Sequence, residues 1–140
     1  MQKLINQIVF PKKTASLNQI RTFTSETARL AGCPKHDIKL IVLAVDAAAS
    51  SIILNAIEQK LEGVLSIKID INNTCFRVEI HDMGSVKSLD SISNKELEKL
   101  SNYSLTNDLG IFLIRRIMHE VDYEYKRGFI NKLVLTRFIQ

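Results

Sequence analysis

The stretch that decides the fold is LAVDAAASSIILNA, residues 43–56. Apolar residues recur through it at spacings of three, four and seven, which is typical of one buried face of an α-helix. The pattern predicts a helix over residues 35–59, followed by Gly63. Its inward positions are expected to be Ile38, Ile41, Val42, Val45, Ala49, Ile52, Ile53 and Ala56. A second row, Ala47, Ser51 and Asn55, recurs every four residues on one uncharged face that the core does not need.

The composition predicts one globular domain over residues 1–140. The chain is 46% hydrophobic and 24% charged, as is usual for globular proteins. In the N-terminal segment, apolar and polar residues alternate up to Pro11, and the continuous apolar run of a signal peptide is missing. The longest uninterrupted apolar run, residues 40–45, is too short to cross a bilayer. We therefore expect a cytoplasmic protein in which Cys33 and Cys75 are reduced structural thiols.

The charge distribution disfavours nucleic-acid and membrane partners. The formal net charge is +4 and tryptophan is absent. Basic pairs such as Lys12–Lys13 and Arg115–Arg116 are dispersed and interleaved with acids, so no basic stripe forms. The three histidines have no metal-ligand spacing. A basic adaptor for nucleic acid or a membrane surface is therefore the weakest hypothesis.

The other elements follow from local signals. A strand over residues 3–10 precedes a capping box, Ser16 with Gln19, that opens a helix ending at Ala31. Its inward residues are expected to be Ile20, Phe23, Thr27 and Leu30. Alternation predicts strands at 64–71, 75–82, 121–126 and 132–139, and apolar periodicity predicts a helix at 109–120. The polar segment 83–107 has the length of a functional lid or a disordered loop, and a second capping box in it, Ser93 with Glu96, predicts a short helix.

This element order predicts the fold class. Strands alternate with helices and also form hairpins, in the order β-α-α-β-β-loop-α-β-β. The expected architecture is a two-layer α/β (α+β) sandwich, with a mixed, mostly antiparallel sheet covered on one face by helices.

Four segments in this order resemble one family. They are LAVDAAASSIILNA, VEIHDMG, DLGIFLIRRIMHEVDYEY and KLVLTRF. The chain resembles the bacterial anti-sigma factor serine-protein kinases of the GHKL ATPase superfamily over roughly residues 38–138. The resemblance implies a GHKL-like fold, a homodimer, and binding to a sigma factor or a STAS-domain antagonist in partner switching.

The family's catalytic positions are substituted in this chain. The family's general-base glutamate corresponds to Ala47, its Mg²⁺-binding asparagine to Ser51, and a histidine that often follows to Asn55. The resemblance therefore implies that this row faces a nucleotide pocket rather than the core. Alanine cannot accept a proton, and serine is a weaker ligand for octahedral Mg²⁺. Asp46 lies about 100° around the helix and should not replace the base. A shift of one turn would put Asn55 at the metal position and Ser51 at the base position, which does not restore catalysis.

The adenine positions are better preserved than the phosphate positions. By resemblance, Asp82 accepts a hydrogen bond from the adenine amino group, and Thr136 helps to hold the same amino group. Gly84 would let the backbone approach the adenine ring. The alternative for Asp82 is a turn residue that ends a strand. Gly110 matches the family's phosphate-binding helix start. The preceding Asn107 and Asp108 replace lid glycines, and Asp108 is placed to cap that helix and repel a triphosphate.

Two functions follow from the resemblance. The first is a regulatory binding module, inactive as a kinase, that binds ATP or ADP weakly or not at all, without a certain Mg²⁺ site. The second is an active serine-protein kinase with a replacement base, for which Asp90, Glu96 and Glu98 are conceivable although none has the motif spacing. The missing glutamate and asparagine favour the first.

Overall fold

The computed structural model describes residues 4–58, 60, 62–82, 109–126 and 130–139. The described elements are β1 (Leu4–Pro11), α1 (Ala15–Leu30), α2 (Lys35–Glu58), β2 (Val64–Ile71), β3 (Cys75–Asp82), α3 (Leu109–Ile117), β4 (Glu120–Lys126) and β5 (Ile130–Phe138). This is the predicted order, and most bounds agree within two residues. The third helix ends earlier than expected, at Ile117, because β4 begins at Glu120. The capping box at Ser93 lies outside the described residues.

The five described strands form one sheet in the order β1-β2-β3-β5-β4. Every neighbouring pair in it is antiparallel, which corrects the expectation of mixed pairing. Helices α1 and α2 form a hairpin that returns the chain to the C-terminal end of β1, because Val64 at the start of β2 pairs with Pro11. Strand β2 therefore runs antiparallel to β1. In the described part of the chain, helix α3 lies between β3 and β4 in sequence, whereas in the sheet β5 lies between those two strands and is antiparallel to both.

Among the described residues, helices cover one face of the sheet and none covers the other, which we call the open face. Alternation along β3 puts Phe76, Val78 and Ile80 on the covered face, where all three are fully buried. The largest fully buried side chains come from both layers: Phe76, Ile20, Ile41, Ile53, Leu65, Ile67, Ile69, Ile71, Ile80, Ile114, Leu133 and Leu135. The predicted two-layer sandwich is therefore confirmed.

The start of α1 differs from the prediction. Thr14 is the N-cap residue and makes no side-chain capping bond. The Ser16 hydroxyl donates instead to the Pro11 carbonyl at 2.7 Å, so the Ser16–Gln19 capping box is wrong. Of the four expected inward residues, Leu30 is 64% exposed at the end of the helix, and the other three are buried.

Helix α2 is apolar on more than one face. Its length and mean hydropathy of 2.1 would suffice for a membrane span, but one face packs on the sheet in the core. At its first turn, Asp37 Oδ1 accepts a hydrogen bond from Arg137 Nε of β5 at 2.9 Å. Arg137 also donates to the Ile117 carbonyl at 2.6 Å. One guanidinium therefore joins β5, the start of α2 and the end of α3.

Candidate functional site

The α2 row predicted to face a pocket lies at the margin of the core. Ala47 is half-buried and packs against the core cluster. Ser51 and Asn55 are also half-buried, whereas Ala44 and Ala48 are fully buried. The row therefore lies between the buried and the exposed faces of the helix. A ligand could reach this position, but Ala47 offers it only a methyl group.

Asp46 belongs to a different side of α2. Its Oδ1 atom accepts a hydrogen bond from Arg21 of α1 at 2.7 Å. The carboxylate next to the base position is therefore held against the neighbouring helix. This geometry agrees with the expectation that Asp46 does not replace the missing glutamate.

Asp82 lies on the covered face of the sheet, at the end of β3. It continues the alternation of Phe76, Val78 and Ile80, so its carboxylate lies on the side of the helices. There it forms an ion pair with the Lys12 ammonium. The two side chains are only 13% and 3% exposed, respectively. The acceptor that the resemblance assigns to an adenine amino group therefore already has a cationic donor from this chain.

The position of Lys12 follows from the first strand pair. Pro11 is the last residue of β1 and pairs with Val64. The Lys12 N–H then donates to the Gly63 carbonyl at 3.0 Å. Since Leu65 pairs with Asp82 in the next ladder, this backbone bond holds Lys12 near the end of β3. In the sequence, Lys12 is only half of a dispersed basic pair, and no local pattern indicates this role.

Thr136 is not brought to Asp82. It pairs with Arg77 across the β3–β5 ladder, while Leu135 pairs with the buried Val78. Paired residues share a face and consecutive residues alternate, so Thr136 lies on the open face and Asp82 on the covered face. The expectation that both hold one amino group is therefore wrong in its geometry.

The open face carries charged side chains around Glu79. Its carboxylate lies 3.3 Å from Arg77, 3.7 Å from Lys132 and 3.8 Å from the His81 ring. A shallow cavity of about 380 Å³ on this face is lined by Arg77, Asp122, Glu124, Lys132 and Val134. Thr136 borders this charged surface rather than the predicted base pocket.

The remaining predicted site residues are only partly described. Gly110 is half-buried in the first turn of α3. Gly84, Asn107 and Asp108 lie outside the described residues, so the predicted Asp108 cap stays a prediction. A second cavity, of about 480 Å³, lies between α1 and α2. It is lined by Arg21, Thr22, Ser25, Glu26, Ile38, Lys39 and Val42 rather than by the predicted nucleotide residues.

Comparisons with known proteins agree with this architecture. A model of the histidine kinase-like ATPase domain matches residues 10–137. A chain from the crystal structure of the SiaB–SiaC complex of Pseudomonas aeruginosa is similar in fold, with a TM-score of 0.61 and 12% identity. The match covers 99% of this chain and 91% of that chain. A search of curated proteins found no match. Since the domain model spans nearly the whole chain, this protein belongs to the histidine kinase-like ATPase domain family.

Proposed function

We propose that this protein is a regulatory binding module of the anti-sigma-factor type that does not act as a kinase. It binds a protein partner, either a sigma factor or a STAS-domain antagonist, on a scaffold inherited from an ATPase. It binds Mg-ATP weakly or not at all. Membership of the family fixes the scaffold, whereas function has to be argued from the site.

The observation that carries this proposal is the ion pair of Lys12 with Asp82. A nucleobase amino group would have to displace an ammonium from a carboxylate in a nearly buried setting. Charge-assisted hydrogen bonds are stronger than neutral ones, and an ammonium left buried without its partner costs additional free energy. Adenine recognition through Asp82 is therefore opposed by the chain's own side chain.

The α2 row supports the same conclusion independently. A kinase needs a group that accepts the hydroxyl proton of its substrate, and Ala47 has none. The nearest carboxylate on the helix, Asp46, is held by Arg21. The Lys12–Asp82 ion pair opposes binding of the adenine ring, and alanine at position 47 leaves no group to accept the hydroxyl proton. Nucleotide binding and proton transfer are therefore both impaired, for separate reasons.

The class of partner comes from family resemblance. The similar solved chain belongs to a complex of two proteins, SiaB and SiaC, which makes protein binding a reasonable role for this scaffold. We propose that the present chain acts in the cytoplasm as a homodimer in transcription regulation by partner switching. Neither nucleic acid nor a membrane is part of this proposal.

Isothermal titration calorimetry of the full chain with ATP and ADP, each with and without Mg²⁺, tests the proposal. We expect dissociation constants weaker than roughly millimolar. The comparison variant combines Ala47→Glu, Ser51→Asn, Asn107→Gly and Asp108→Gly, and it should bind nucleotide more tightly. Magnesium-dependent binding by the unmodified protein that equals that of the variant would overturn the proposal. Transfer of the γ-phosphate to a STAS-domain antagonist would establish the alternative, an active kinase.

A further inference from the structure

Helix α2 carries a second apolar row on its outer side. Leu43, Leu54 and Ile57 are 46%, 54% and 47% exposed. Ala47 and Ser50 lie between them and are half-buried. We call these five residues the outer seam. Their spacings of four, three, four and three residues match the heptad pattern of helices that pack against another helix.

The outer seam exposes large aliphatic side chains on the side of α2 that faces away from the core. The opposite face of α2 is already buried in the core, with eight of its side chains excluded from solvent. Three large aliphatic side chains at helical spacing on one exposed side form a contiguous apolar patch, which is typical of an interaction site. Small residues between them would allow another helix to approach closely.

The seam is self-complementary when a second copy runs antiparallel to it. With the two Ser50 residues facing each other on a twofold axis, Leu43 of one copy lies opposite Ile57 of the other. Leu54 of one copy then lies within one residue of Ala47 of the other, so a large side chain packs over a small one. A twofold interface needs such a patch, because the same surface serves both subunits.

The charges at the two ends of α2 also favour an antiparallel copy. Lys39, near the start of the helix, and Glu58, its last residue, are both exposed. Glu58 has the sign that the end of its own helix disfavours, since helix ends favour cations. With Ser50 on the twofold axis, Lys39 of one copy lies within about one helical turn of Glu58 of the other, so an antiparallel partner brings opposite charges together.

We infer that the outer seam of α2 is the homodimer interface, formed by two antiparallel α2 helices around Ser50. This inference names the surface of the homodimer in the proposed function and rests on that part of it alone. Ala47, the position of the family's base, then contacts protein. A glutamate there would carry a charge into an apolar contact, so the alanine serves the interface as well as marking the loss of catalysis.

Sedimentation equilibrium of the full chain tests the inference, with Leu54→Glu as the disrupting variant. Leu30→Glu is the matched control, because Leu30 is equally large and 64% exposed but lies on α1. The unmodified protein and the control should be dimers. The Leu54→Glu variant should dissociate at least ~100-fold more readily, as expected for a central interface residue. A monomeric unmodified protein, or a Leu54→Glu dimer of unchanged affinity, would overturn the inference.

Charge reversal decides the orientation and does not depend on how Leu54→Glu folds. Lys39→Glu and Glu58→Lys should each weaken the dimer, and the double variant should regain most of the loss. No recovery in the double variant would contradict the antiparallel arrangement. Ser50→Cys, with Cys33→Ala and Cys75→Ala, should form a disulfide-linked dimer on oxidation, and its failure to do so would count against contact at Ser50. Nucleotide titration of the unmodified protein does not report on the seam, and none of these seam variants changes Ala47, so the two proposals can fail separately.

Discussion

The Lys12 ammonium forms an ion pair with the Asp82 carboxylate on the covered face of the sheet, where both side chains are almost excluded from solvent. Asp82 comes from the end of β3, and Lys12 directly follows β1, two strands away. A motif-based interpretation assigns Asp82 to an external ligand. In the structure the Asp82 carboxylate is instead paired with a side chain of the same protein. Whether Asp82 can accept a hydrogen bond from a ligand therefore depends on Lys12.

Replacing Lys12 with methionine should improve adenine-nucleotide binding. The substitution keeps an apolar stem and removes the competing ammonium from the Asp82 carboxylate, which can then accept from an amino group. A hydrogen bond to a charged group contributes about 1.5–3 kcal/mol, which corresponds to roughly a tenfold to hundredfold gain in affinity. Calorimetric titration of ADP and ATP with the Lys12→Met variant measures the gain.

Lys13→Met is the matched control for that experiment. Lys13 is the exposed neighbour of the buried Lys12, so its replacement should change neither nucleotide affinity nor stability appreciably. Lys12→Met should also lower the free energy of unfolding by about 3 kcal/mol, because it leaves a carboxylate buried without its cation. A destabilised Lys12→Met variant that binds nucleotide no better than the unmodified protein would show that the pair is purely structural.

The fold was predictable because its signals are local. Alternation in strands at 64–71 and 75–82 and the periodicity of α2 each depend on neighbouring residues, and the structure places those elements at the predicted bounds. The turn between the strands also follows from sequence, since the Asn72 side chain accepts from the backbone N–H of both Thr74 and Cys75. Antiparallel pairing of β1 with β2 depends instead on the path of two helices, which no local pattern specifies.

The site was less predictable because it depends on register. Thr136 lies between Leu135 and Arg137, and the run Leu133–Leu135 is apolar throughout, so the sequence does not reveal which residues face the helices. Pairing with β3 decides it and puts Thr136 on the open face. The Lys12–Asp82 pair requires two ladders in the correct register. A lysine directly after a strand-ending proline carries no signal for such a contact.

Arg137→Met should destabilise the protein strongly. Its guanidinium contacts Asp37 Oδ1 and the Ile117 carbonyl, and the Arg137 and Asp37 side chains are 15% and 18% exposed. Removal of the cation leaves a mostly buried carboxylate and a carbonyl without this donor, at a cost of about 2–4 kcal/mol. Urea denaturation measures the loss.

Lys132→Met provides the comparison for Arg137. Its ammonium lies 3.7 Å from Glu79 on the open face of the sheet. Partly exposed pairs of this kind contribute at most about 1 kcal/mol. Similar losses in the two variants would contradict the view that Arg137 joins three elements of the fold. A double variant, Arg137→Met with Asp37→Asn, should be less unstable than the sum of its single variants.

The Cys33 thiol should make stability depend on pH in the alkaline range. Burial raises the pKa of Cys33, and the nearby Asp37 carboxylate raises it further. The folded protein therefore keeps the thiol proton at pH values where the unfolded chain has lost it. The free energy of unfolding should decrease as pH rises above about 8.5, the usual thiol pKa. Urea denaturation between pH 7 and pH 10 should show a smaller decrease for Cys33→Ala than for the unmodified protein. Identical pH dependence in the unmodified protein and Cys33→Ala would show that the thiol contributes nothing to it.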